Sequence, residues 1–178
     1  MHIEHSSHKI YYGDRASPHD MPATSERPSP YHNPVIENGE HVGWELDLPA
    51  AKEAKITELR EACQNDIFSG FDSDALGGVV HHYPAKQDNE HFDQTNLISQ
   101  YTHAKSHPGE TYYIMCADPN GVWARRAHTA DQTIIVGDIG INRVADARHR
   151  LLGTDTVDGL IDDVNNATTE TELDAIVW

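Results

Sequence analysis

The sequence changes character near residue 48. Six of its nine prolines (Pro18, Pro22, Pro28, Pro30, Pro34 and Pro49) fall in the first fifty positions. From Asp14 to Asn33 there is no hydrophobic period and almost no aliphatic side chain. Such a stretch has too little apolar surface to offset the entropy of ordering it, so it reads as an extended, polyproline-like arm. Downstream, apolar residues recur at helical and strand spacings. The organisation read from this break is an arm with a short hairpin over 1–47 and one α+β domain over 48–178. A length of 178 residues suits one domain with an appendage.

Inside the arm, Pro34–Glu37 and Glu40–Leu46 flank Asn38-Gly39, the strongest short hairpin signal. Val42, Trp44 and Leu46 alternate as one strand face. Residues 50–67 read as a helix with Ile56, Leu59, Cys63 and Ile67 on one stripe. Short strands are expected over 68–73 and 77–83. A second helix is expected over about 93–105, with Asp93 as N-cap and Leu97, Ile98, Tyr101 and Ala104 on one face. Thr111–Ala117 and Val122–His128 enclose Asp118-Pro119-Asn120-Gly121, a tight reversal. Thr129 and Gln132 have capping-box spacing, opening a helix to about Leu152 with Ile134, Ile141, Val144, Arg148 and Leu151 on one side. Gly137 and Gly140 suggest close packing there. Thr169–Glu172 opens a last helix that buries Leu173 and Ile176. The expected domain thus has about four helices and short antiparallel hairpins.

Charge narrows the function classes. Thirteen Lys and Arg against 29 Asp and Glu give a net charge of −16, which repels phosphate backbones and anionic membrane surfaces. Neither nucleic acid nor membrane is expected as a partner. No apolar run approaches the 18 residues or so of a membrane span, and the N-terminus lacks a secretory pattern, so the expectation is a soluble chain in a cytoplasm. Protonating all 13 histidines would take the charge from −16 to −3 (−16 + 13 = −3), removing most self-repulsion on acidification. Cys63 and Cys116 lie 53 residues apart (116 − 63 = 53) without metal-ligand spacing and read as reduced, buried small hydrophobes.

The histidines are the first candidates for chemistry. His81, Asp88 and His91 are the candidate ligands for a metal-dependent hydrolase, and His103-x3-His107 places two imidazoles on one helix face before Pro108. His81 and His82 point to opposite strand faces, and no HExxH occurs. His2, His5 and His8 would meet copies of themselves in a symmetric oligomer. GxSxG, GxxxxGK[ST] and GxGxxG are all absent. The residues therefore nominate no catalytic, cofactor or metal site as the leading reading, and no cofactor is expected.

An ordered series runs through the rest of the chain. Lys55-Ile56-x3-Arg60 leads to Gly70-Phe71, and Tyr83-Pro84-Ala85 precedes Phe92-Asp93-Gln94-Thr95-Asn96-Leu97. Trp123 comes next, followed by His128-Thr129-Ala130-x-Gln132, Ala167-Thr168-Thr169 and the terminal Glu172–Trp178 segment. In this order and spacing, residues from about Ala54 to Trp178 resemble a small domain common at the C-terminus of bacteriophage tail-fibre and tail-fibre-assembly proteins, a domain with no assigned activity. The Gly43-Trp44-Glu45-Leu46 hairpin is similar to N-terminal pieces of the assembly proteins. The resemblance implies a non-enzymatic tail-associated protein: a virion structural component at the fibre or baseplate, or a fibre assembly chaperone. It would be located in the virion tail, or in the host cytoplasm during assembly. Its partners would be tail-fibre or baseplate proteins, with homo-oligomers also open. The metal-dependent hydrolase is the alternative.

The arm is expected to supply most of the affinity, by strand addition or proline-rich docking, with Tyr12 and Trp44 as aromatic anchors. A chain beginning at Asp47 is expected to fold by itself, because every apolar helix face lies downstream. An insoluble or molten product on circular dichroism would instead assign the Trp44 hairpin to the core.

Overall fold

A computed structural model of the chain describes residues 26–178, together with the backbone of two residue pairs near the N-terminus. Those pairs, β1 (His5–Ser6) and β2 (Lys9–Ile10), run antiparallel. The rest of the arm expected before residue 26 lies outside the described residues. The fold is α+β. It has five helices among the described residues, where the sequence suggested about four. It divides into two compact units. One takes the described residues up to Lys55 together with Ala167–Ala175, and the other comprises Ile56–Asn166 with Ile176–Trp178.

The first unit contains a hairpin of β3 (His32–Glu37) and β4 (Glu40–Leu46). Asn38 and Gly39 both take positive φ, 52° and 85°, as a two-residue hairpin turn with right-handed strand twist requires. The pairing slips between Val35 and Ile36: Val35 faces Gly43 while Ile36 faces His41. Val42 is therefore a bulge residue. It projects into solvent, and His41 instead meets Trp44 edge-on, with ring centroids 4.8 Å apart. This corrects the regular Val42–Trp44–Leu46 face. Helix α1 (Leu48–Phe68) begins in this unit and continues into the next. Its first turn is capped by Asp47, whose Oδ1 accepts from Ala50 N at 3.1 Å. Helix α5 (Glu170–Ala175) opens where Thr169 and Glu172 satisfy one another's backbone N–H groups, both at 3.2 Å, and buries Leu173.

The second unit is built on a four-stranded antiparallel sheet of β5 (Phe71–Ser73), β6 (His81–Tyr83), β7 (Thr111–Ala117) and β8 (Trp123–Thr129), in that spatial order. The strand expected from residue 77 starts only at His81, because Gly77 and Gly78 both turn to positive φ. Helix α2 (Asp93–Ser106) follows β6. Its N-cap is Phe92, without a side-chain cap. Asp93 instead accepts from Lys86 N at 3.2 Å and so ties down the preceding loop. Helix α3 (Ala130–Leu152) opens on the capping box of Thr129 and Gln132. Helix α4 (Leu160–Asn166), too short to show a period in the sequence, buries Val164.

The face of α3 that packs inward keeps the expected close packing at Gly137 and Gly140 and the expected Leu151, with Ile134 packed against Ala104, Tyr112 and Ala130, but not Ile141. Thr133, Val136 and Ala147 complete it, while Ile135 and Ile141 stay exposed. A Cβ on Gly137 would stand 2.7 Å from Cγ of Tyr101, and one on Gly140 would stand 2.9 Å from atoms of Leu97 and Phe71. Through these gaps α3 approaches α2 and closes a core of Phe71, Tyr83, Leu97, Ile114, Cys116 and Val136. Cys63 and Cys116 are free and buried, as expected. Gly137→Ala should therefore destabilise the domain. Overpacking costs about 1–3 kcal/mol against a helix-propensity gain of about 1 kcal/mol. Thermal melting checks this, and adding Tyr101→Ala should recover part of the loss.

Candidate functional site

Strands β7 and β8 pair in full register, so cross-strand partners share a face. Tyr112, Ile114 and Cys116 point into the core. The opposite face presents Tyr113 opposite Ala127, Met115 opposite Arg125, and Trp123 opposite Ala117. Tyr113 is 59% exposed, Trp123 51% and Met115 41%. Polar residues commonly occupy the solvent face of such a sheet, whereas this one carries two aromatic rings and a thioether. His82 borders the patch, its ring edge-on to Trp123 at 5.9 Å and its Nδ1 2.7 Å from Asp72 Oδ1. The hairpin under the patch is held by Arg126, which donates to both Asp118 Oδ2 and Val122 O at 3.1 Å.

Two depressions flank α2. One, of about 190 Å³, is bounded by Asn96 and Gln100 of α2 and by Tyr113, Met115 and Arg125 of the sheet. It gives the aromatic face a polar margin. The other, of about 310 Å³, is an apolar groove between α2 and α3 lined by Leu97, Ile98, Ile141 and Val144, with Phe71 and Arg148. Aromatic anchors beside polar groups, and apolar grooves between helices, are the usual makeup of protein-binding surfaces. The sequence signal for the exposed face was the alternation Tyr113–Met115, which read equally well as core.

The residues nominated from the sequence are dispersed. His81 is buried in β6, and its Nδ1 lies 2.7 Å from Val79 O, to which it donates. Asp88 and His91 do meet, Oδ1 to Nδ1 at 2.8 Å, on an open loop with Lys86 Nζ 3.1 Å from the same carboxylate. The Glu90 backbone N–H, then His91 and Lys86, hold the Asp88 carboxyl well below the usual carboxylate range. A carboxylate so engaged is a loop organiser. Among the described residues, His81, Asp88 and His91 do not form a ligand group. One group of three does come together, His103, His107 and Glu110. Tyr12, like His2 and His8, lies outside the described residues. Trp44 sits half-buried on β4, and neither its Nε1 nor the His41 nitrogens has a hydrogen-bond partner among them.

Among the described residues, Tyr83 and His128 form a buried titratable pair. Both are 1% exposed and lie 2.9 Å apart, Oη to Nε2. The Nδ1 of His128 is 2.8 Å from Arg126 O. A carbonyl only accepts, so Nδ1 carries the proton, Nε2 is the acceptor and Tyr83 donates. Burial holds the His128 pKa below its usual value against the opposing bond to Arg126 O, with nearby His81 adding to the lowering. Burial likewise raises Tyr83. Each buried polar atom of the pair is thereby satisfied, which seats Tyr83 and His128 firmly within the core.

No family model matches the sequence, and neither a curated protein nor a solved structure is matched by it. No helix among the described residues is long and apolar enough to cross a membrane.

The buried imidazole sets a pH dependence. The unfolded chain takes up this proton near about pH 6.5, and the folded chain resists it. Stability from His128 is thus complete above that pH and is lost as pH falls through it toward the lower folded value. Melting temperature should drop on going from about pH 7.5 to about pH 5, and the drop should be smaller in His128→Gln. Equal slopes for the two proteins would remove His128 from the acid response.

Proposed function

We propose that this chain is a non-enzymatic bacteriophage tail-associated protein that acts by protein–protein binding, as a virion component at the tail fibre or baseplate or as a tail-fibre assembly chaperone. The observation that carries the binding role is the open face of β7 and β8, where Tyr113, Met115 and Trp123 stand exposed on a rigid two-stranded ladder. Large apolar groups gathered on one face mark an interaction site, and tyrosine and tryptophan are the residue types that dominate interface energetics. The groove between α2 and α3 offers a second apolar surface on the same unit. The tail context comes from the ordered series of residues between Lys55 and Trp178 that resembles the tail-fibre domain. The arm remains part of the reading through the Trp44 hairpin, whose bulge at Val42 breaks the regular ladder of an edge strand.

The test is co-expression with bacteriophage tail-fibre and baseplate proteins, followed by affinity capture. Full-length protein should recover a fibre or baseplate protein. Trp44→Ala and a Tyr113→Ala/Trp123→Ala pair should each weaken recovery, with about 2 kcal/mol lost per anchor. Undiminished recovery by Trp44→Ala and by an arm-deleted chain would assign recognition to the sheet face alone. Unchanged recovery in every variant, or no tail protein captured, would overturn the reading. Mass spectrometry of purified virions separates a resident component, present at fixed copy number, from a chaperone that leaves.

A further inference from the structure

The C-terminal end of α2 gathers three metal-ligating side chains from a short stretch of chain. His103 lies in the last turn, His107 follows one turn later at the C-cap, and Glu110 closes the loop into β7. One ligating atom from each lies within 4.8 Å of the other two. The two imidazoles are nearly parallel, with centroids 4.0 Å apart and planes 5° apart. The Glu110 carboxylate is 3.7 Å from His103 Nδ1.

The protons are already arranged for coordination. Tyr112, buried at the start of β7, lies with its hydroxyl 3.1 Å from His107 O and 3.1 Å from His103 Nδ1. Its single proton goes to the carbonyl, so His103 Nδ1–H donates to the Tyr112 oxygen. His107 Nδ1 is 3.1 Å from His103 O and must donate there too. Both imidazoles therefore hold their proton on Nδ1 and keep the Nε2 lone pair free. Metal-binding histidines are oriented in this way by an outer partner on the second nitrogen. A tetrahedral ion with bonds of about 2.0–2.2 Å sets its ligand atoms about 3.4 Å apart. Because the stacked rings lie in parallel planes, both imidazoles, being exposed, would turn about their side-chain torsions to aim Nε2 at one ion. A cation at this point also meets the negative end of the α2 dipole.

We propose that His103, His107 and Glu110 form a binding site for a zinc-class divalent ion, with Tyr112 as the positioning residue and water in the fourth position. Two imidazoles and one carboxylate suit zinc and its cobalt substitute. Bound there, the ion would fasten the end of α2 to the loop entering β7.

Cobalt(II) titration of the full-length protein tests this, read by the visible absorption of tetrahedral cobalt and by isothermal calorimetry with zinc. The wild type should bind one equivalent with the tetrahedral spectrum. His107→Ala and Glu110→Gln alter only exposed side chains and should keep the fold by circular dichroism. Each should lose the tetrahedral spectrum and weaken binding by at least about tenfold, the lower bound for disturbing even an outer partner. Other histidines elsewhere in the chain are controlled by the same comparison. A wild type without tetrahedral cobalt, or variants that bind as the wild type does, would overturn the site.

Discussion

Helix α3 reaches both α2 and the sheet because two of its inward positions lack a side chain. Gly137 lies under the Tyr101 ring and Gly140 under Leu97 and Phe71, at separations that no Cβ tolerates. Two glycines inside a helix cost about 0.8–1 kcal/mol each in propensity, and the Thr129–Gln132 capping box offsets only part of this. Packing supplies the rest. Phe71 stacks on Tyr83 at 5.5 Å, and Tyr83 donates to His128, so one continuous layer runs from α2 through α3 into β5, β6 and β8. The buried tyrosine and histidine satisfy each other and fix how that layer is seated. An unpaired partner there would cost about 1–3 kcal/mol.

The same constraint decides what stays outside. A helix that packs through Thr133, Val136, Gly137 and Gly140 turns its larger Ile135 and Ile141 outward. Ile141 then lines the groove beside α2 instead of filling the core. The sheet, in turn, buries the face bearing Tyr112, Ile114 and Cys116. Alternation along β7 leaves Tyr113 and Met115 on the other side. The apolar surface on which the binding proposal rests is thus a geometric consequence of how the core closes.

Much of this architecture was legible in the sequence, and the exceptions share a cause. The spans of α1, α2, α3 and the β7–β8 hairpin follow from long periodic runs bounded by strong turn and cap residues. Thr129 and Gln132 announced a cap that forms as written, because capping depends only on local chemistry. Asp93 had the right residue type, yet Lys86 N claims its carboxylate, a competition that local sequence does not reveal. On α3 the close packing at Gly137 and Gly140 was legible, whereas Ile141 was misplaced because hydrophobicity favours isoleucine while close approach favours glycine and threonine. Val42 looked like a strand-face residue until the bulge moved His41 beside Trp44. Among the histidines, His103 and His107 were visible as a pair. Glu110 and Tyr112 join them only through the turn after Pro108. His81, by contrast, is drawn into the core and away from the Asp88–His91 pair.

A net charge of −16 acts on the exposed face as well as on solubility. Copies of this chain approach each other against repulsion that extends about 8–10 Å at moderate ionic strength. Burying Trp123 and Tyr113 against a second copy must overcome that term, whereas burying them against a less acidic protein does not. The face itself departs from the chain's average, since Arg125 stands opposite Met115 and His82 stands against Trp123. In the proposed binding role, aromatic area there would give affinity without regard to sign, and the surrounding charge would discriminate between partners. An acidic chain with an apolar face bordered by a cation would then meet less repulsion from a surface of different charge than from its own copies.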